Sequence, residues 1–288
     1  MKFLSVPKRP GLLPPVTRIW RPDLPPWAPH HTSLAMAPRP NRPHRQSRTG
    51  NQSIWIFGRH AVLAALANPD RRIERLFATK EMADNHAAQI GKTAMTITSR
   101  EDLNQRLPNG SVHQGIAALV APLEDPGMED ILARCGDNAL VLALDQVSDP
   151  HNVGAILRSA AAFGAAGVIV TDRHTPSDTG TLAKAASGAL EIVPLVRAVN
   201  LARALEQLKE AGFWTYGLAE SGDASIGDLD LKGRTCIVLG AEGEGLRRLT
   251  TEKCDRLVTI PTSNALSALN VSNAAAVAAY EWARQRPK

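Results

Sequence analysis

From residue 54 onward, apolar positions recur in two rhythms, one of period two and one of period 3.6. Residues 54–57 (Ile-Trp-Ile-Phe) form a short apolar run that reads as a strand. Gly58 then opens a helical stretch over 61–67, which Asn68-Pro69-Asp70 closes. Alternation at Ile73, Leu76 and Phe77 predicts a strand over 72–78, and residues 81–90 have helical periodicity. A strand at 95–98 is followed by Ser99, placed to cap a helix over 100–107. Residues 115–120 read as a last strand, and Pro-Leu-Glu-Asp-Pro (122–126) as the start of a linker. This half predicts a small α/β domain over 54–121 and a linker over 122–138.

The rest of the chain, 139–288, alternates near-continuous apolar strands with helices. Strands are expected at 139–144, 167–171, 191–196, 214–218, 236–239 and 257–260. Helices are expected at 152–163, 178–186, 201–211 and 267–284. Apolar runs without alternation belong to strands buried on both faces, so the fold class is α/β with a parallel sheet between helix layers.

Composition changes the picture mainly at the beginning of the chain. Residues 1–50 hold eleven of the twenty prolines and show neither rhythm, so they read as a disordered, basic, Pro-rich extension. Nine of the 33 Lys and Arg but only one of the 28 acids lie there, which leaves 51–288 with a net charge of −3. Any nucleic-acid surface on the body must therefore be a local patch. Three cysteines without a Cys-x-x-Cys spacing give neither a disulfide framework nor a metal site, and they fit a reducing, cytoplasmic setting. No apolar run approaches the roughly 20 residues that span a bilayer. Neither a membrane nor a metal is therefore expected as a partner.

Three segments carry candidate chemistry, each at the end of an expected strand. The first is Asp149-Pro150-His151-Asn152-Val153-Gly154-Ala155-Ile156-Leu157-Arg158-Ser159-Ala160. Its helix start offers free amides to an anion, and Arg158 lies one turn beyond Gly154, where a phosphate or ribose could come close to the backbone. The second is Ile237-Val238-Leu239-Gly240-Ala241-Glu242-Gly243-Glu244-Gly245-Leu246. Its glycines permit a tight turn and a close ligand, but the spacing is not that of a dinucleotide fold, and two carboxylates tolerate a cation better than a polyphosphate. The third runs from Ile260-Pro261 through Leu266 to Leu269-Asn270-Val271-Ser272, in which Asn270 interrupts an apolar run. It either orders loops or binds a ligand. Open α/β sheets bind ligands at the carboxyl ends of their strands, so the three segments read as one site.

In this order the segments resemble the three motifs of the SpoU (TrmH-type) RNA ribose methyltransferases of the SPOUT superfamily. Lys184-Ala185-Ala186-Ser187-Gly188-Ala189 resembles a further stretch between the first two motifs. Gly58-Arg59-His60-Ala61-Val62 and His113-Gln114-Gly115-Ile116 resemble the amino-terminal RNA-binding domain of members that modify a guanosine of 23S rRNA. The resemblance covers residues 54–285. It implies a trefoil-knotted methyltransferase domain over 139–288, S-adenosylmethionine as cofactor, RNA as substrate and a homodimer. It also implies Arg158, Asn152, Glu242 and Asn270 as catalytic-site residues. Leu239, Gly240, Gly243, Ile260, Leu269 and Ser272 would line the cofactor site.

The third motif departs from the family where Asn264 stands for Gly and Ala268 for Ser. Two other readings remain beside methylation of a 23S rRNA guanosine. One is a tRNA ribose methyltransferase, whose simpler members lack such an amino-terminal domain. The other is a non-catalytic RNA-binding protein that kept the fold.

Overall fold

The computed structural model describes residues 53–172, 180–263 and 269–286. The extension over 1–50, the third-motif departures Asn264 and Ala268, and the starts of the helices expected at 178 and 267 lie outside the described residues.

The first sheet is built from β1 (Ile54–Phe57), β2 (Ile73–Ala78), β3 (Thr96–Ile97) and β4 (Ile116–Val120), in the order β1-β4-β2-β3. β4 pairs antiparallel with β1 and β2, while β3 adds to β2 in parallel. The connecting helices are α1 (Arg59–Ala67), α2 (Lys80–Asn85), α3 (Ala87–Ile90) and α4 (Arg100–Arg106). The period-two pattern explains why both faces are covered. Ile116, Ala118 and Val120 pack with Val62, Ala65 and Leu76 on one face. Ala117 turns to the other face and meets Phe57, Phe77 and Leu103.

Ser99 caps α4 as expected, its hydroxyl accepting from the Asp102 amide at 3.1 Å. The single helix expected over 81–90 is broken at His86, which leaves helical geometry (φ −124°) and so divides α2 from α3. The stretch read as linker contains a further helix, α5 (Met128–Leu132), whose Ile131 is fully buried.

The second sheet has seven strands, all paired in parallel: β5 (Ala139–Leu144), β6 (Gly167–Thr171), β7 (Leu195–Ala198), β8 (Trp214–Leu218), β9 (Ala224–Ser225), β10 (Arg234–Leu239) and β11 (Arg256–Thr259). Their order is β7-β6-β5-β10-β8-β11-β9. Helices α6 (Pro150–Phe163), α7 (Gly180–Ala186), α8 (Leu201–Glu210), α9 (Arg248–Lys253) and α10 (Val271–Arg284) complete the unit. All six residues of β5 are buried: Leu140, Leu142 and Leu144 belong to one core, Ala139, Val141 and Ala143 to the other. A strand covered on both faces needs no polar alternation, which is why β5 reads as one apolar run.

The strand expected over 191–196 begins only at Leu195, after a 3₁₀ turn at Ala189–Glu191. Pro194 has no N–H to give the ladder. Glu191 is drawn elsewhere. Its side chain, 3% exposed, meets Arg71, 4% exposed, at 2.7 Å between Oε1 and Nη2. Arg71 Nε also donates to Glu191 Oε2 (3.1 Å), Nη1 donates to the Ala121 carbonyl (2.8 Å), and Asn68 Nδ2 donates to Glu191 Oε2 (2.8 Å). This buried bidentate pair ties the loop after α1 to the larger sheet.

Two glycines carry the same joint inward. A Cβ on Gly188 (φ +90°) would lie 2.7 Å from Ala64 Cβ and 3.0 Å from the His60 carbonyl. A Cβ on Gly154 would lie 2.4 Å from Ala185 Cβ. The small sheet's first helix, α7 and α6 are thus stacked in direct contact.

Candidate active site

The strand order reverses direction at β5 and β10. From β5 the chain winds outward through β6 and β7, and the later strands lie on the other side. The crevice at the carboxyl ends of these two strands is where an open α/β sheet binds its ligand. All three motif segments emerge around it: α6 follows β5, the glycine loop follows β10, and residues 260–263 follow β11.

The first segment starts as a capped helix. Asp149 Oδ1 accepts from the His151 amide at 2.9 Å, and Pro150 occupies the first turn, where its missing N–H costs nothing. Gly154 has a different role from the one its sequence position implies. It is buried against Ala185 and Ala186 of α7, so its bare backbone admits a helix rather than a phosphate. Arg158 is exposed, and His151 is exposed at the rim.

The glycine loop folds back on itself. Gly245 N–H donates to the Ala241 carbonyl at 2.9 Å, and a Cβ on Gly240 would sit 2.1 Å from the Gly245 carbonyl carbon. Gly240 is therefore required by the loop's own closure. Gly243 (φ +82°) and Gly245 (φ +70°) need left-handed geometry, and a Cβ on either would meet nothing within 4 Å. The loop is anchored from below by residues that sequence reasoning did not single out. Asp145, fully buried at the end of β5, accepts from Arg247 N (3.0 Å), Nε (2.7 Å) and Nη2 (2.6 Å). The only available signal was a carboxylate ending an otherwise apolar run.

Three of the four expected catalytic-site residues meet directly. Asn270 Nδ2 donates to Glu242 Oε1 at 2.6 Å and lies 3.1 Å from Asn152 Oδ1. Asn152 Nδ2 donates to the same Glu242 oxygen at 3.1 Å. The triangle joins the three motifs, with Asn152 and Glu242 90 residues apart in the chain and Glu242 and Asn270 28 apart. Asn270 is exposed, not buried, and it caps α10: its Oδ1 accepts from Ser272 N (2.9 Å) and Ser272 Oγ (2.6 Å). The hydroxyl of Ser272 is thus engaged in the cap.

Arg158 does not join the triangle among the described residues. Six residues beyond Asn152, it points about 240° around the helix. It faces the small sheet, where its charge acts on His60. The His60 ring is held below its ordinary pKa by burial first, then by Arg59 and Arg158.

Of the expected cofactor-lining residues, Leu239 is 1% exposed with its side chain in the core, so only its backbone can face the crevice. Ile260 is half-buried against the same core, Gly243 is exposed, and Leu269 is 38% exposed. An open glycine loop, an exposed apolar side chain and two loop carboxylates suit a cationic nucleoside ligand. Among the described residues, no helix is long and apolar enough to cross a membrane.

Comparison with known proteins defines the class. The model of the SpoU rRNA methylase family matches residues 139–280, and that of the RNA 2′-O ribose methyltransferase substrate-binding domain matches 55–126. An uncharacterized tRNA/rRNA methyltransferase of Synechocystis sp. is 41% identical over 241 residues, covering 80% of this chain and 62% of that protein. The 23S rRNA (guanosine-2′-O-)-methyltransferase RlmB of Escherichia coli K12 is 40% identical over 243 residues, 81% of this chain and 99% of that one. The crystal structure of the SpoU methyltransferase AviRb from Streptomyces viridochromogenes with AdoMet superposes with a TM-score of 0.68 at 25% identity, over 81% of this chain and 90% of that one. The chain belongs to the SpoU rRNA methylase family. It is an S-adenosylmethionine-dependent RNA 2′-O-methyltransferase.

Proposed function

We propose that this protein methylates the ribose 2′-hydroxyl of a guanosine in large-subunit rRNA, acting as a cytoplasmic homodimer with a trefoil-knotted catalytic domain. The observation that carries the choice of substrate is the small α/β unit fixed beside the motif-bearing sheet, in a chain 40% identical to RlmB over 99% of that protein's length.

S-adenosylmethionine supplies an electrophilic methyl group on a sulfonium. The backbone of Leu239, Gly240 and Gly243, with Ile260, Leu269 and the Ser272 turn, would hold it in the crevice. Asn152, Glu242 and Asn270 lock the three loops together, and loops so held would align a ribose oxygen with the group being transferred. Such alignment can contribute about 7–11 kcal/mol. Arg158 grips a phosphate beside the target and stabilises the negative charge that grows on the ribose oxygen. A guanidinium does not give up its proton in a protein, so Arg158 is an electrostatic group, not the base.

The separation of Arg158 from the Asn152–Glu242–Asn270 triangle supports a shared site. Exposed and turned about 120° from its own triangle around the helix, it is available to the cofactor site of a second copy. Co-purified Arg158→Ala and Asn270→Asp subunits should then regain partial activity as heterodimers.

Labelled methyl transfer to unmodified large-subunit rRNA, with unmodified tRNA in parallel, tests the substrate. Label in rRNA, lost in Arg158→Ala, is the expected result. Label in tRNA alone would replace the reading with a tRNA methyltransferase, and label in neither would leave an RNA-binding protein.

A further inference from the structure

Among the described residues, three that are not glycine hold left-handed backbone geometry: Gln114 (φ +53°), Gln146 (φ +62°) and Ser187 (φ +49°). That geometry is disfavoured for any residue with a Cβ, and Gln lacks the short side chain with which Asn or Asp offsets the cost. Two of the three have a local reason for it. Gln114 Oε1 accepts from the Arg59 amide at 3.0 Å, and Ser187 Oγ donates to the Lys184 carbonyl at 3.3 Å. Gln146 has no such bond: its side-chain amide has no hydrogen-bond partner among the described residues.

The strain at Gln146 is imposed from both sides. Before it, the Asp145 amide donates to the Leu239 carbonyl at 2.8 Å, and the Asp145 carboxylate is held by Arg247. After it, Val147 is 4% exposed and belongs to the core that includes Val153 of α6. A residue fixed at both ends keeps its conformation whatever its own preference. Glycine would fit this geometry without strain, so the glutamine is explained by its side chain.

That side chain is half-buried, in the short loop that leads from β5 to Asn152 and Arg158. The loop lies on the rim of the crevice at the carboxyl ends of β5 and β10. The positions expected to line the cofactor come instead from the segments after β10 and β11. The neighbouring acids are already committed, Asp145 to Arg247 and Asp149 to the cap of α6. What remains is a neutral amide with a donor and an acceptor side by side, and the Watson–Crick edge of a nucleobase presents a matching pair.

We propose that Gln146 is a further substrate-contacting residue, whose side-chain amide hydrogen-bonds the base of the nucleotide being methylated. This rests on the rRNA guanosine reading above. With guanine, the amide oxygen accepts from N1–H and the amide N–H₂ donates to O6. A base held at the end of β5 keeps its ribose beside α6, where Asn152 and Arg158 stand. The strained backbone is retained because it fixes where the amide is offered.

The test pairs a change in the protein with a change in the RNA. The full-length parent and Gln146→Leu are compared on a large-subunit rRNA fragment that carries either the target guanosine or an abasic ribose at that position. On the guanosine fragment, kcat/KM for methyl transfer should fall about tenfold in the variant, mostly through KM, the scale of a lost hydrogen bond that leaves its partner unpaired. On the abasic fragment the parent and the variant should be equal, because the contact is already gone. Gln146→Asn keeps the amide and should regain part of the loss. Gln146→Gly should lose activity as Gln146→Leu does, yet unfold at a urea concentration no lower than the parent's, since it relieves the strain. An equal loss on both fragments, or none on either, would overturn the contact. Weaker S-adenosylmethionine binding by Gln146→Leu in calorimetry would also overturn it, by assigning the side chain to the cofactor. Methylation of tRNA in place of the rRNA fragment would sink the large-subunit reading alone, and the same comparison on that tRNA, with its methylated nucleotide made abasic, would decide the contact.

Discussion

Asn270 donates a 2.6 Å hydrogen bond to the carboxylate of Glu242, and this one contact ties the start of the last helix to the glycine loop. Asn152 shares the same carboxylate oxygen, so the three motifs are held through a single acceptor. Replacing Asn270 with Asp places two carboxylates against each other and removes both donated bonds. S-adenosylmethionine binding by calorimetry should weaken about tenfold or more, since bonds to a charged acceptor are the strong ones. Native circular dichroism should persist. Full-strength binding would mean that the triangle does not organise the cofactor site.

Arg71 and Glu191 make a buried pair that bridges the two sheets. Removing one partner, as in Arg71→Met or Glu191→Gln, leaves the other buried without its counter-charge and should cost about 3–5 kcal/mol. The double variant Arg71→Met/Glu191→Leu should recover much of that in urea unfolding. Its methyl transfer to rRNA should nonetheless stay below that of the parent, because an apolar contact does not fix direction as a bidentate pair does. Full activity in the double variant would show that the pair contributes stability alone.

Gly154 is where α6 and α7 touch. Gly154→Ala brings a methyl to 2.4 Å from Ala185 Cβ and 2.8 Å from the Ala186 amide nitrogen. Overpacking of this kind costs about 1–3 kcal/mol, which thermal unfolding should register. A variant with unchanged stability would show that α7 yields easily.

His113 is 6% exposed and has both ring nitrogens committed. Nδ1 accepts from the Gly115 amide at 3.1 Å, and Nε2 lies 3.2 Å from Asn104 Oδ1. Burial, then Arg100, lowers its pKa below the ordinary 6.5. The folded state therefore binds this proton less readily than the unfolded chain, so the contribution is complete above pH about 6.5 and is lost as pH falls below it. Urea midpoints at pH 7.5 and 5.5 should show the parent losing stability on acidification, and His113→Gln losing less. An equal loss in both would assign the acid sensitivity elsewhere.

The strands were legible because they are short apolar runs between turn residues, as in β4 and β5. The site is legible as motif segments, and the resemblance names Asn152, Glu242 and Asn270, which the fold brings into contact. What could not be read is tertiary in origin. Nothing local to Glu191 announces a partner 120 residues earlier, so the sequence places it at the start of a strand. The sequence offers Gly154 as an opening for a ligand, whereas its bare backbone admits a neighbouring helix, and the close approach of Gly245 that Gly240 permits is a requirement only packing reveals. Asp145 looked like the end of a strand, although it holds the glycine loop through Arg247.

The most direct test of the central claim is nucleoside mass spectrometry of large-subunit rRNA after incubation with the protein and S-adenosylmethionine. The account predicts one new 2′-O-methylguanosine at a single site, absent with Arg158→Ala. A methyl group on a base, or none on any ribose, would contradict it.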